Sequence, residues 1–181
     1  FPRYHIGESL LPSLLPILDV LGVRERIERH GFVRKEGAFY GWGGQEWQLG
    51  FDAQGRPAAY SFQVVRSQFD HLLLQHARTQ GVCVREETTA RSIVFENGRA
   101  TAASWTGAGG DGVTGFRHVI DASGRAGVLA ARQLWTRRFH DVFRNVATWG
   151  YWGGTNPLPG TPEGAIGVFS LPDHGWSWPI P

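Results

Sequence analysis

The chain of 181 residues is 41% hydrophobic and 13% aromatic, which is enough apolar material for one sizeable domain and excludes a disordered tail. Its formal charge of +2 comes from scattered arginines without a basic stripe, so nucleic-acid binding is not indicated. The chain contains no run of eighteen apolar residues, so no membrane span is predicted, and we expect a cytoplasmic protein. Because the chain starts at Phe1 and contains no methionine, we expect a piece of a longer protein.

The first third of the chain predicts two short helices followed by strands. Residues 13–21 form an apolar helix and residues 23–30 a polar one, and a glycine closes each. Aromatic residues alternate with glycine and polar residues over 37–51, which favours an antiparallel strand pair, and 59–65 continues the strand pattern.

The clearest helix is predicted over residues 67–80. Ser67 as N-cap and Asp70 three residues later make a capping box, and Gly81 ends the helix. The predicted buried stripe consists of Phe69, Leu72, Leu73 and Ala77.

The second half reads mainly as strands. The Asn97-Gly98 pair predicts a hairpin turn. Cys83 lies in an apolar run and is expected to be a packed strand thiol. The predicted elements are strands at 82–86, 91–96, 99–105, 116–121, 143–152 and 165–171, a short helix at 124–134 and a loop at 153–164.

Two patterns that often mark sites have ordinary explanations in this chain. Residues 107–112 match G-x-G-x-x-G, but they lie between two predicted strands, so we expect a hairpin tip rather than a dinucleotide-binding loop. His71 and His76 are five residues apart, which is not the spacing of a helical zinc site, and no metal site is predicted.

The C-terminal string W-S-W-P-I-P places two indoles on one side of a strand. Trp176 and Trp178 are two residues apart, and the flanking prolines stiffen the strand end. From periodicity alone, packing in a core or at a sheet edge is the preferred interpretation.

Several strings together resemble the FAD-dependent halogenase family. Residues 1–12 are similar to its G-E-[SA]-x-x-P strap segment, and residues 176–181 match its W-x-W-x-I-P motif. Residues 62–70 and 119–125 resemble an arginine-plus-helix element and a D-x-S-G turn of p-hydroxybenzoate-hydroxylase-type flavoproteins. The resemblance implies a mixed α/β flavoprotein fold with an antiparallel substrate-facing sheet.

The resemblance also assigns regions and residues. Residues 1–36 and 66–141 would bind flavin, and 37–65 with 142–181 would form the substrate-facing sheet, while a dinucleotide-binding βαβ unit and a C-terminal region are expected outside the chain. The implied cofactor-binding residues are Gly7, Glu8, Ser9, Pro12, Arg66, Asp121, Ser123 and Gly124.

Lys35 is the single lysine of the chain and follows the strap at a position where the family carries a lysine. Without the resemblance, an exposed cation after a helix C-terminus is the preferred interpretation. With it, Lys35 becomes a catalytic residue that holds hypohalous acid by hydrogen bonding or as a chloramine. Trp176 and Trp178 would then separate flavin from substrate.

The implied activity uses reduced FAD, O₂ and chloride or bromide to halogenate an electron-rich aromatic ring. The strap reads Gly7-Glu8-Ser9-Leu10 where tryptophan-type members read G-E-A-T, which favours a phenol or pyrrole, free or on a carrier protein. A separate flavin reductase is the expected partner. The alternatives are an FAD-dependent aromatic hydroxylase of the same fold and a non-catalytic, tryptophan-rich ligand-binding module.

Overall fold

The computed structural model describes residues 1–52, 59–156, 158, 160–172 and 175–181. The chain divides into two compact units, Phe1–Val84 with Trp152–Pro181, and Arg85–Tyr151. Pro157 and Pro159 of the predicted 153–164 loop lie outside the described residues. The elements in chain order are β1 (Glu8–Ser9), α1 (Leu15–Val20), α2 (Arg24–His30), β2 (Val33–Lys35), β3 (Gly37–Trp42), β4 (Gln45–Gly50), β5 (Ser61–Val64), α3 (Arg66–Thr79), β6 (Thr88–Glu96), β7 (Arg99–Gly107), β8 (Gly110–Gly115), β9 (Ile166–Ser170) and β10 (Trp176–Ser177).

The first unit contains a three-stranded antiparallel sheet in the order β1-β5-β2. Its hydrophobic core lies between this sheet and the three helices, because alternate β5 residues and the apolar faces of the helices are buried together. The buried core residues are Leu15, Leu18, Val23, Ile27, Phe62, Val64 and Phe69.

A second sheet of the same unit has the order β10-β9-β3-β4. The predicted strand pair over 37–51 is confirmed as β3 and β4, which pair antiparallel. The β3–β9 pairing is parallel, so the predicted antiparallel sheet contains one parallel step. Through the β3–β9 pairing, β9 and β10 from the last thirty residues of the chain belong to the same sheet as β3 and β4, the two strands that follow Lys35.

Helix α3 confirms the predicted 67–80 helix, but its beginning differs. The N-cap is Val65, without a side-chain cap bond, so the predicted Ser67 capping box is wrong. Asp70 instead accepts hydrogen bonds from Arg66 one turn earlier, at 2.9 and 3.0 Å. An arginine–carboxylate pair at i, i+4 has taken the place of the cap.

The second unit is a meander of β6, β7 and β8. The Asn97-Gly98 turn is confirmed, since both residues have the positive φ that tight hairpins require (49° and 76°). The G-x-G-x-x-G string is confirmed as a hairpin tip, because Gly107 pairs with Gly110 at the end of β7 and β8.

Four predicted elements were wrong. Residues 82–86, 116–121 and 143–152 are not strands, and within 124–134 only Gly124–Ala126 is helical, as a short 3-10 turn. Cys83 is exposed, so the predicted packed thiol is also wrong. Among the described residues, no helix is both long and apolar enough to cross a membrane.

Candidate active site around Lys35

The β1-β5-β2 sheet has one apolar and one polar face. On β5, Ser61 and Gln63 alternate with the core residues. Ser61 is paired with Lys35 of β2, and Gln63 is paired with Ser9 of β1. Directly paired residues of antiparallel strands place their side chains on the same face. The buried polar residues Ser9, Lys35, Ser61 and Gln63 therefore share the face opposite the hydrophobic core.

Lys35 is the centre of this polar face. Its side chain is 1% exposed, and Nζ donates hydrogen bonds to Ser9 Oγ at 2.8 Å and to the Leu10 carbonyl at 3.1 Å. The Phe51 ring lies 5.3 Å from Nζ. The interpretation of Lys35 as an exposed cation is therefore wrong, because β2 carries it under the strap rather than into solvent.

Burial changes the acid–base chemistry of this amine. Desolvation lowers the pKa of Lys35 from 10.5 to about 8. With that pKa, the amine is mostly an ammonium donor at pH 7, with about one molecule in ten neutral. A single side chain can thus supply both a hydrogen-bond donor and an amine nucleophile near neutral pH.

A cavity of about 430 Å³ opens beside Lys35. Tyr40 and Trp42 contribute from β3, where alternate residues share a face, and Trp176 and Trp178 contribute from the chain end. The sequence pattern at 37–51 contained this signal, although only the two later tryptophans were predicted as site residues. The remaining lining residues are Ser9, Leu11, Ile166 and Val168.

The two C-terminal indoles form part of the cavity wall. Trp176 and Trp178 have ring centroids 6.2 Å apart and planes tilted by 51°. They are 49% and 40% exposed, so core packing does not describe them, and β10, which carries Trp176, is an edge strand. Aromatic faces at a cavity mouth suit contact with a planar ring.

A second cavity of about 530 Å³ lies along the strap at the Arg66 side. Ser9 and Leu11 line both cavities, so the strap runs between them. The other lining residues combine an apolar wall with three charged groups, and they are Glu8, Leu10, Ser13, Leu14, Ile17, Arg66, Phe69, Asp70 and Leu73.

Arg66 ties the strap to helix α3. Its guanidinium contacts Asp70 at 2.9 Å and Glu8 at 3.3 Å. Both contacts raise the pKa of Arg66, and the hydrogen bond to Asp70 has the larger effect. Gly7 precedes this contact, and Pro12 begins a 3-10 turn that carries the strap into helix α1. The strap residues predicted from the sequence therefore lie together with Arg66 and Lys35 in the first unit.

The second unit contains the other predicted cofactor-binding residues, Asp121, Ser123 and Gly124. They form a turn that is held by hydrogen bonds within the turn itself. The Asp121 carboxylate accepts hydrogen bonds from the backbone N–H of Ser123 at 3.0 Å and of Leu129 at 2.8 Å. Hydrogen bonding, first from the Ser123 side chain, lowers the pKa of Asp121. Both Asp121 oxygens thus organise the turn, and Gly124 with φ of 59° supplies its left-handed position.

The fold has counterparts among solved structures. It matches CmlS, a flavin-dependent halogenase, with a TM-score of 0.88 and 34% identity over 100% of this chain and 33% of that one. It also matches the myxobacterial chondrochloren halogenase CndH with a TM-score of 0.75 and 28% identity over 100% of this chain and 42% of that one. The mixed α/β fold of the FAD-dependent halogenases is thereby confirmed.

Sequence comparison identifies the family. A profile described as tryptophan halogenase matches residues 51–181, and the chain belongs to this halogenase family. It is 46% identical over 183 residues to a tryptophan 2-halogenase of Chondromyces crocatus and 42% identical over 190 residues to the flavin-dependent halogenase armH3 of Armillaria mellea. All of this chain aligns in both cases, and it spans 34% and 38% of the two relatives, about a third of their length.

Proposed function

We propose that this chain carries the halogen-handling centre of a flavin-dependent halogenase, which uses reduced FAD, O₂ and halide to halogenate an electron-rich aromatic ring. The observation that supports the proposal most strongly is the buried Lys35 amine at the wall of an aromatic-lined cavity. Membership of the halogenase family agrees with it. A lysine without a functional role would instead be expected to face solvent, where its charge is hydrated.

The residues along the strap fit a flavin on the Arg66 side. That cavity offers an apolar wall for a planar ring, and the Glu8–Arg66–Asp70 cluster offers charged groups at its rim. When bound, reduced FAD would supply the two electrons that activate O₂, and O₂ would be the oxidant that converts halide and a proton to hypohalous acid, with water as the second product. The strap between the cavities would keep the organic substrate on the Lys35 side.

Lys35 would hold the oxidised halogen in the cavity of about 430 Å³ whose wall it forms. Its ammonium can donate a hydrogen bond to hypohalous acid, and its neutral form can attack the halogen to give a chloramine and water. Hypohalous acid reacts indiscriminately in solution, so a single fixed amine would direct it toward one ring position. Arginine cannot replace lysine in the second role, because its guanidinium stays protonated.

The substrate would be a phenol or a pyrrole, free or attached to a carrier protein, and a separate reductase would supply reduced FAD. The cavity of about 430 Å³ has room for one or two rings, and its walls at Tyr40, Trp42, Trp176 and Trp178 suit stacking. The strap sequence Gly7-Glu8-Ser9 favours these rings over tryptophan, which belongs in the assay panel because one relative is a tryptophan 2-halogenase.

The proposal is tested with Lys35→Ala in the full-length enzyme. We expect the variant to lose halogenated product while flavin binding, flavin re-oxidation and hypohalous acid release persist. Lys35→Arg is the matched control, because it keeps the charge and removes the nucleophilic amine, and we expect it to be inactive too. Substantial halogenated product from the alanine variant, measured by mass spectrometry, would remove Lys35 from the reaction.

Product mass also distinguishes the alternative of an aromatic hydroxylase. A hydroxylase would form product without halide and would not need the paired indoles. We expect Trp176→Ala with Trp178→Ala to stay folded, because both side chains are about half exposed, and to uncouple flavin oxidation from halogenation or give hydroxylated product. An unchanged rate and product in the double variant would reduce the two indoles to edge packing.

A further inference from the structure

Ser9 and Lys35 reach one another across a strand that separates them. They lie on β1 and β2, the outer strands of the sheet, with β5 between them. Neighbouring strands are about 4.8 Å apart, so the lysine side chain must cross β5 to bring Nζ to 2.8 Å from Ser9 Oγ. The residue directly opposite Lys35 on β5 is the small and fully buried Ser61, which leaves room for this crossing.

We propose that Ser9 is the positioning residue for the Lys35 amine, with its hydroxyl oxygen fixing Nζ at the wall of the cavity that both side chains line. This inference rests on the proposed role of Lys35 in halogenation. The family resemblance places Ser9 among the flavin-facing residues, but in the structure its hydroxyl is bonded to the lysine.

Two acceptors restrict an otherwise flexible side chain. A lysine ammonium sits on a four-carbon stem with many rotamers, and each fixed hydrogen bond removes some of that freedom. The Leu10 carbonyl is a backbone acceptor and stays when side chains are exchanged. Ser9 is therefore the part of the arrangement that substitution can remove, and it is 8% exposed, so water cannot readily replace its hydroxyl.

The hydroxyl also acts on the protonation of Lys35. An acceptor stabilises the ammonium form, so the Ser9 bond partly offsets the desolvation that lowers the pKa of Lys35. Loss of Ser9 Oγ should lower that pKa further. Neighbouring charges are engaged elsewhere, since Glu8 contacts Arg66 and Arg34 contacts Glu36.

Tyr40 is the further titratable group on the wall of the same cavity, and it lies on β3. Because every variant below retains Tyr40, a shift of the pH profile that differs among the variants does not come from removal of Tyr40.

The test compares Ser9→Ala with Ser61→Ala in the full-length enzyme supplied with reductase, halide and a phenol or pyrrole substrate. Ser61 is a matched control, because it is a buried serine on the same face and directly opposite Lys35, but its hydroxyl has no hydrogen-bond partner in the described part of the chain. Product formation, flavin re-oxidation, hypohalous acid release and the pH profile of product formation are measured for each variant.

For Ser9→Ala we expect product per flavin oxidised to fall about tenfold or more, with normal flavin re-oxidation and more released hypohalous acid. The inflection of the pH profile that belongs to Lys35 should move about one pH unit lower. Ser9→Cys, which keeps the size and offers a weaker acceptor, should change both readouts in the same direction. Ser61→Ala should match the wild type in both.

Two outcomes separate the inference from the function on which it rests. If Ser9→Ala and Ser9→Cys keep the wild-type coupling and pH profile while Lys35→Ala is inactive, Ser9 does not position the amine and the proposed function stands. If Lys35→Ala itself retains halogenation, the proposed function fails and the inference fails with it.

Discussion

Replacing Lys35 with methionine should make the stability of the enzyme depend differently on pH. Methionine has nearly the same length and carries no charge, so it fills the same space without a buried ammonium. A pKa lowered from 10.5 to about 8 corresponds to about 3 kcal/mol of unfavourable burial of the charged form. This cost is fully present below pH 8, where Lys35 is protonated in both the folded and the unfolded chain.

The direction of the effect follows from proton binding. Between about pH 8 and 10.5 the unfolded chain holds a proton on Lys35 that the folded chain has lost, so the free energy of unfolding rises with pH. The methionine variant lacks this rise. Loss of the bonds to Ser9 and Leu10 lowers its stability by a further amount of about 1 kcal/mol each.

The measurement is urea unfolding of the full-length wild type and Lys35→Met at intervals from pH 7 to 10.5. Both proteins share every other titratable group, so subtracting the two free energies of unfolding isolates Lys35. We expect the wild type to gain about 3 kcal/mol relative to the variant over this range. A difference that stays constant with pH would mean that Lys35 titrates in the folded enzyme at its ordinary pKa and that burial does not destabilise its charged form.

Two substitutions test how the surroundings of the site are held. Tyr60→Phe removes the hydroxyl that accepts from Arg24 and donates to Glu28, and we expect a loss of about 1 kcal/mol in urea unfolding, since the cluster is partly exposed. An unchanged midpoint would show that this cluster does not stabilise helix α2. Gly164→Ala should cost about 3 kcal/mol or more, because its φ is +59° and a Cβ would collide with the Arg34 carbonyl; a variant of normal stability would contradict the close approach.

Local signals in the sequence predicted the elements that depend on local geometry. The Asn97-Gly98 turn was predictable because few residue pairs adopt positive φ at both positions. Helix α3 followed from apolar periodicity, although its first turn depends on the Arg66–Asp70 pair rather than on a cap. The strand patterns at 116–121 and 143–152 failed because an apolar run forms a strand only with a partner, and the described residues provide none.

The burial of Lys35 was beyond the reach of sequence patterns. In and beside β2, three consecutive residues are charged, namely Arg34, Lys35 and Glu36. No local pattern distinguishes them, yet only Lys35 of these three is buried. Its environment is assembled by pairing with β5 and by the strap, 26 residues earlier at Ser9. Only the family resemblance pointed to this lysine, since no local rule states which strand will cover it.

Because β3 pairs with β9, the cavity beside Lys35 can form only late in the synthesis of the chain. Tyr40 and Trp42 are synthesised early, but Trp176 and Trp178, which complete the wall beside Lys35, follow more than 130 residues later. At typical rates of about 5–20 residues per second, a ribosome needs roughly seven to twenty-seven seconds to cover that distance. Throughout this interval the growing chain has its lysine but lacks the two indoles that complete the cavity wall, so under the proposed function a prematurely terminated product would have no complete cavity to hold a reactive halogen.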